Sequence, residues 1–507
     1  MPASRGEEWR RSCVVHFLSP AEPTSNRKLA ILLTAFAVYG AILLLPTPAG
    51  LTTSGQTALG VLAMVIIIWI TECVSPAASA IILVGTAVLG LIGTHLPNAQ
   101  APLQSGTALN IMLSGFSSSA AILVAMALFL AVALKHTGLD KRIALAIMNA
   151  VGISPARLLI GAMLVGFVLA LFIPSATARV GAVIPIMVGI VVALGLPINS
   201  RLGAALMIVT AQVCSIFNMG IKTASAQNLI SLNFMQQAFG YTYTWGSWFL
   251  YALPFTVVMS VTLFFVALFL LRPEVPEPEG ARIRIRQELQ QLGPLSPPEL
   301  RLILVAVVLL VMWSTEGWLH PLDTTTTTQL GIGLLLMPRI GVMSWSQAEK
   351  LVPWGTVVLF AAGISLGLLL SRTGAAAWLA DSTLGQLGLA DKPLWIVILL
   401  LSVFSVALHL GFASATGLAS TLIPIVIAFS QTLPYDRATM FGIVFVQSMV
   451  VSFGFILPPN APQNMLCIAT GAFDTTQFVK VGLIITIVGL LLVTLLSVTY
   501  WPLLGVL

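Results

Sequence analysis

The chain has 507 residues, of which 58% are apolar and 8% charged, with a mean hydropathy of +1.01. So little charge over so much apolar sequence excludes a soluble enzyme or a cytosolic binding module and defines a polytopic membrane protein. The formal net charge of +6 is gathered in clusters between apolar runs, so it is a topology signal rather than a surface for nucleic acid.

In chain order, about thirty polar residues precede the first apolar run, which is long enough to span. No cleavable signal is expected, and residues 1–28 read as a cytoplasmic segment. Spans are expected near 29–46, 53–72, 75–95 and 116–135, each close to the ~20 apolar residues that cross the hydrocarbon. A re-entrant hairpin over about 156–196, a broken helix near 202–238 and a span near 246–271 complete the first half, 29–271. The polar stretch 272–299, rich in proline and carrying Arg282, Arg284 and Arg286, is the linker. The second half, 300–507, repeats the scheme with spans near 300–318, 326–344 and 353–371. A re-entrant hairpin over about 393–430, a broken helix near 437–470 and a last span near 478–504 follow. The sum is an all-α membrane protein of about eleven spans plus two re-entrant hairpins.

With a cytoplasmic N-terminus and each hairpin returning to its own side, 18 of the 23 basic residues fall on the cytoplasmic side. Only Arg372, Lys392 and Arg437 fall outside, and counting either hairpin as a full span would invert everything after it. Cys13, Cys73, Cys214 and Cys467 show no CxxC or CxxH spacing, so neither a disulfide framework nor a metal site is implied.

The halves are copies of one another. Ser175-Ala176-Thr177 recurs as Ser414-Ala415-Thr416, 239 residues on. Trp69-Ile70-Thr71-Glu72 recurs as Trp313-Ser314-Thr315-Glu316, Thr137-Gly138 as Thr373-Gly374 and Gln227-Asn228 as Gln463-Asn464, at offsets of 244, 236 and 236. Four pairs in one order point to duplication. Because five spans separate the equivalent second and seventh helices, the copies face opposite ways, as an inverted-topology repeat.

Each Ser-Ala-Thr follows a helix break, Pro174 or Gly411, and starts a short apolar arm. A hairpin tip at mid-membrane leaves N–H groups unpaired at the start of its second helix, and these suit an anion. The substrate site is therefore expected at Ser175, Ala176, Thr177, Ser414, Ala415 and Thr416. Packing of small residues is the alternative for any one tripeptide. Matching breaks run from Gly220 to Asn228 and from Gly454 to Asn464, where Pro458, Pro459 and Pro462 cannot continue a helix. Gln227, Asn228, Gln463, Asn464 and Pro459 join the expected substrate site, capping of half-helices being the alternative for the amides. Ser175, Gly220, Ser414 and Asn460 are candidates for a cation.

Arg179 and Lys222 are the only basic residues placed within the membrane. An intramembrane cation costs roughly 2.5–3.5 kcal/mol, so both are expected to offset a polyanionic substrate, with pairing inside the bundle as the alternative. Glu72 and Glu316 end equivalent helices and read as structural anchors or, secondarily, a proton relay. His409, five residues before Ser414, is a strut or a titrating group. Glu72, Glu316 and Asp474 show none of the clustered acid or metal spacings of an intramembrane enzyme, and nothing outside the membrane is large enough for a signalling domain. No enzyme activity and no cofactor beyond a coupling sodium ion is expected.

Over about residues 29–504 the chain resembles the divalent anion:sodium symporter family. WITECVSP at 69–76, KHTGLDKRIAL at 135–145, FIPSATARVGAVIPI at 172–186 and FGFILPPNAPQN at 453–464 carry the resemblance. PSATAR at 174–179 and HLGFASAT at 409–416 are closest to the branch of bacterial citrate/succinate exchangers and plastid 2-oxoglutarate/malate translocators. The resemblance implies a homodimeric, elevator-type carrier of C4 to C6 carboxylates in the bacterial inner membrane, with substrate contacts at Ser175, Thr177, Ser414 and Thr416. Arg179 matches that branch's arginine and His409 its first histidine. Sodium-coupled members carry Ser-Asn-Thr at both tips, where Ala176 and Ala415 stand here, each without the donors and acceptor of an amide. Leu418 replaces a second histidine. The expectation is a di- or tricarboxylate exchanger with weak or no sodium dependence. A sodium-coupled symporter and a carrier of an inorganic or sulfonated anion remain alternatives.

Overall fold

The computed structural model describes residues 26–97, 99–274 and 279–507. Most of the expected segment 1–28 and residues 275–278 of the linker lie outside the described residues. Among the described residues every named element is helical, and nine helices are long and apolar enough to cross a membrane, from Asn26–Leu44 to Thr475–Leu503. Shorter apolar helices include Pro76–Leu91, Pro155–Ala170, Leu394–His409, Ala415–Ser430 and Arg437–Val450. The chain is an all-α polytopic membrane protein.

Local chemistry sets many of the helix starts. Thr52, Ser118, Ser154, Ser200 and Asp323 each accept a hydrogen bond from a first-turn N–H group, which satisfies donors the helix itself leaves orphaned. Equivalent helix ends share their geometry as well. Gly138 and Gly374 terminate Ser119–Thr137 and the Trp354–Arg372 region in left-handed conformations with φ of 76° and 74°, which a side chain rarely adopts. Trp69 Nε1 donates to Ser79 Oγ at 3.2 Å, and its counterpart Trp313 donates to Thr328 Oγ1 at 3.1 Å.

Some boundaries differ from the sequence reading. The helix expected near 326–344 runs only from Thr324 to Leu336, because Met337 precedes Pro338 and turns extended at φ −66° and ψ 139°. Its 13 residues make about 20 Å, short of a ~30 Å hydrocarbon layer. Ser105–Leu113, Leu139–Val151, Trp345–Leu351 and Ala375–Ser382 are further helices in stretches read as connections. Leu139–Val151 buries Leu139, Ala144, Leu145 and Met148 on one side, and with 13 residues that include Asp140, Lys141 and Arg142 it is too short and too charged for a search for spans to find. Glu279–Gln291 adds a helix in the linker.

At the centre stands Arg201–Gly220, in which every residue from Leu202 to Gly220 is buried, as expected of a helix packed on all sides. It contacts both arms of the first hairpin and the long helix Trp245–Val266. A smaller apolar cluster joins Asn26–Leu44, Thr53–Thr71, Pro76–Leu91 and Ser105–Leu113 with the C-terminal half of Trp354–Arg372, while the larger one surrounds the hairpins.

Candidate functional site

Two helix-turn-helix hairpins and two interrupted helices form the site. The first hairpin pairs Pro155–Ala170 with Ala176–Ala193, and the second pairs Leu394–His409 with Ala415–Ser430. Ser175 and Ser414 cap the second arms with matching backbones, φ −138° and ψ 113° against φ −143° and ψ 116°. Ser175 Oγ accepts from Ala178 N and Ser414 Oγ from Gly417 N, each at 3.3 Å. The tip hydroxyls therefore already serve as caps, and their O–H groups remain available as donors. Ser175, Thr177, Ser414, Ala415 and Thr416 are half-buried, whereas Ala176 is buried.

The interrupted helices have the same plan. Arg201–Gly220 gives way to a tight turn at Lys222–Ala224 before Ala226–Phe239, and Arg437–Val450 unwinds before a turn at Pro458–Asn460 and the helix Pro462–Ile468. Asn228 Nδ2 bonds Asn218 O at 2.6 Å and Ile221 O at 3.1 Å, and Asn464 Nδ2 bonds Gly454 O at 2.9 Å. Both amides thus cap carbonyls freed by the break, leaving Asn228 Oδ1 and Asn464 Oδ1 buried without a partner among the described residues. Gln227 and Gln463 reach instead across the repeat, to Ser452 and Ser215. Gly220 is needed for packing, since a Cβ there would lie 2.5 Å from Thr256 Oγ1. Pro459 is exposed.

The halves also interlock. The second arm of the first hairpin packs on Pro462–Ile468, and that of the second hairpin on Ala226–Phe239. Each tip region is thereby set beside the broken helix of the other half.

The charged candidates part company. Arg179 is fully buried, and its guanidinium donates to Ile173 O at 2.6 Å, Ala224 O at 2.8 Å and Cys214 O at 3.1 Å, and to Asn218 Oδ1. It ties the neck of the first hairpin to the broken helix. Leu418 occupies the equivalent place in the second half, where Asn460 does this work: its Nδ2 donates to His409 O at 2.7 Å and to Leu410 O and Phe412 O at 3.3 Å. His409 Nε2 lies 3.2 Å from Asn460 O. Lys222 forms an ion pair with Glu316 at 3.6 Å. Glu316 also accepts from Trp245 N, Thr324 N and Thr324 Oγ1, so it gathers several helix ends, whereas Glu72 is exposed at a left-handed helix end with φ 46°. Ser215, Ser452, Asn218 and Trp245 were not singled out in the sequence, and the run Thr324 to Thr328 reads there only as a helix start without chemistry, whereas Thr324 Oγ1 bonds both Glu316 and Lys222. For Ser215 and Ser452 a signal existed, because their spacing of 237 residues nearly repeats that of the glutamines.

Paired helical hairpins interlocked with two interrupted helices, in duplicated halves, define a transporter of the secondary-carrier class rather than an enzyme. Residues 26–507 match the sodium:sulfate symporter transmembrane region, and the chain belongs to that family. It is 45% identical over 477 residues to a membrane protein of Cupriavidus necator, covering 94% of this chain and 92% of that one. It is 27% identical over 483 residues to the L-tartrate/succinate antiporter of Escherichia coli K12, covering 93% and 97%. In fold it is similar to the YdaH transporter of Alcanivorax borkumensis, with a TM-score of 0.55 at 14% identity over 85% of this chain and 100% of that one. MtrF of Neisseria gonorrhoeae gives 0.53 at 13% over 92% and 96%.

Proposed function

We propose that this protein exchanges C4 to C6 di- or tricarboxylates across the bacterial inner membrane with little or no dependence on sodium. The observation that carries the reading is the pair of matching tips: half-buried Ser and Thr hydroxyls at two helix N-termini, free of carboxylates that would repel an anion. Similarity to an L-tartrate/succinate antiporter supports the substrate class and the exchange mode. Ala176 and Ala415 supply no side-chain oxygen for a sodium ion, which leaves Gly220, Asn460 and the tip hydroxyls as the poorer set of candidates.

In this reading Thr177, Thr416 and the O–H groups of Ser175 and Ser414 contact the carboxylates, and Lys222 supplies fixed positive charge. Arg179, Gln227, Asn228, Gln463 and Asn464 hold the tips and breaks in place. The carrier works as a homodimer with a cytoplasmic N-terminus, and the interlocked hairpins and broken helices move as one elevator body. The family's description favours inorganic sulfate as a second reading. Uptake of labelled succinate into succinate-loaded proteoliposomes separates the two. Unlabelled succinate and tartrate outside should compete strongly and sulfate weakly; the reverse order would replace the carboxylate reading with the sulfate one.

A further inference from the structure

Lys222 opens the turn that interrupts the first core helix, and its side chain is only 8% exposed. An ammonium offers three N–H donors. Among the described residues the Lys222 ammonium has one hydrogen bond, to Thr324 Oγ1 at 3.3 Å, and one ion pair, to Glu316 Oε2 at 3.6 Å. Both exceed the roughly 2.7–2.9 Å of a charge-assisted bond. Glu316 is well served without the lysine, since Thr324 Oγ1 donates at 2.7 Å and the N–H groups of Thr324 and Trp245 at 3.2 Å. The neighbouring Asp323 carboxylate is turned to the N–H groups of Thr325 and Thr326. A buried cation is thus held loosely by a carboxylate that does not need it.

The pair joins two parts of the fold. Lys222 lies on the turn that Arg179 ties, through Ala224 O, to the neck of the first hairpin. Glu316 follows the helix Pro297–Ser314, which packs on Thr324–Leu336 and through it on Ser119–Thr137. The second half has no counterpart: Pro458 stands 236 residues after Lys222, and Glu72 is exposed.

We propose that Glu316 is a built-in stand-in for a substrate carboxylate, holding Lys222 in the empty carrier and releasing it when an anionic substrate takes the charge. The inference rests on the carboxylate-exchange reading. An unpaired buried ammonium is costly, so the turn leaves Glu316 only when another carboxylate replaces it. Reorientation of the empty carrier is then slow and that of the loaded carrier fast, which turns net flux into exchange.

The test uses the full chain in liposomes preloaded with labelled succinate. Efflux is measured into buffer without substrate and into buffer containing unlabelled succinate. Wild type releases label quickly only with succinate outside. Glu316→Gln raises the ratio of unstimulated to stimulated efflux about tenfold or more and tightens succinate binding, because the internal competitor is gone. Lys222→Gln raises the same ratio but weakens binding. The ratio is internal to each preparation, so a loss of folded protein cancels, and either variant suffices if the other fails to fold. A ratio within about twofold of wild type in a folded variant overturns the stand-in while leaving exchange intact. Fast unstimulated efflux from wild-type vesicles overturns the exchange reading as well.

Discussion

Gln227 Nε2 of the first broken helix donates to Ser452 Oγ of the second at 3.0 Å, and Gln463 Nε2 returns the bond to Ser215 Oγ, also at 3.0 Å. Each interruption is therefore braced by the other half. Four buried polar groups are bonded in two pairs, which lets two unwound helices persist in an apolar interior.

Replacing either glutamine with leucine removes the donor to a buried serine oxygen: among the described residues Ser452 Oγ then keeps no hydrogen bond and Ser215 Oγ only a long one, to Ala211 O at 3.5 Å. Gln227→Leu and Gln463→Leu should each cost about 1–3 kcal/mol and lower the thermal midpoint of the purified protein. Gln237→Leu, at an exposed position, should leave it within a degree or so of wild type. Equal midpoints for all three would show that the crossed bonds do not brace the breaks.

Arg179 is expected to be a positioning residue. Its planar fork serves four acceptors that an ammonium cannot reach together. Arg179→Lys should lower thermal stability and the yield of folded carrier. A variant of normal stability with lost succinate affinity would place the guanidinium on the substrate instead.

At the tips, capping and binding separate by residue. Ser175→Ala and Ser414→Ala remove helix caps and should destabilise by about 1 kcal/mol each. Thr177→Val and Thr416→Val keep the shape and should raise the apparent Km for succinate about tenfold with little change in melting. Unchanged Km in both valine variants would move the binding site away from the tips.

Glu274 carries a pH dependence. Burial alone would raise its carboxyl, but hydrogen bonds from Arg201 N, Leu202 N and the Arg201 guanidinium outweigh that and hold it below the usual 4.5. Stability from this cap is fully present above about pH 4.5 and is lost as pH falls through the depressed folded value. Melting curves of wild type and Glu274→Gln should differ at pH 7 and converge in acid. Parallel curves at every pH would remove the carboxylate from the account.

Much of this was legible in the sequence because its signals are covalent or steric. Apolar length marks spans, Pro174 and Pro458 lie in the interruptions, and the paired motifs carry the duplication. What was not legible depends on which atoms meet. Arg179 and Lys222 look alike as intramembrane cations, yet one faces backbone carbonyls and the other a carboxylate 94 residues away. Glu72 and Glu316 look equivalent, and among the described residues only the second has a lysine opposite. The helix Leu139–Val151 escaped because 13 residues that include Asp140, Lys141 and Arg142 fall short of a span-length reading.

The central claim is sodium-independent carboxylate exchange, and counterflow tests it most directly. Proteoliposomes loaded with unlabelled succinate, or left empty, are placed in labelled succinate with sodium or with choline in its place. The account predicts strong uptake into loaded vesicles with either cation and little into empty ones. Uptake into empty vesicles driven by an inward sodium gradient, and lost in choline, would contradict it.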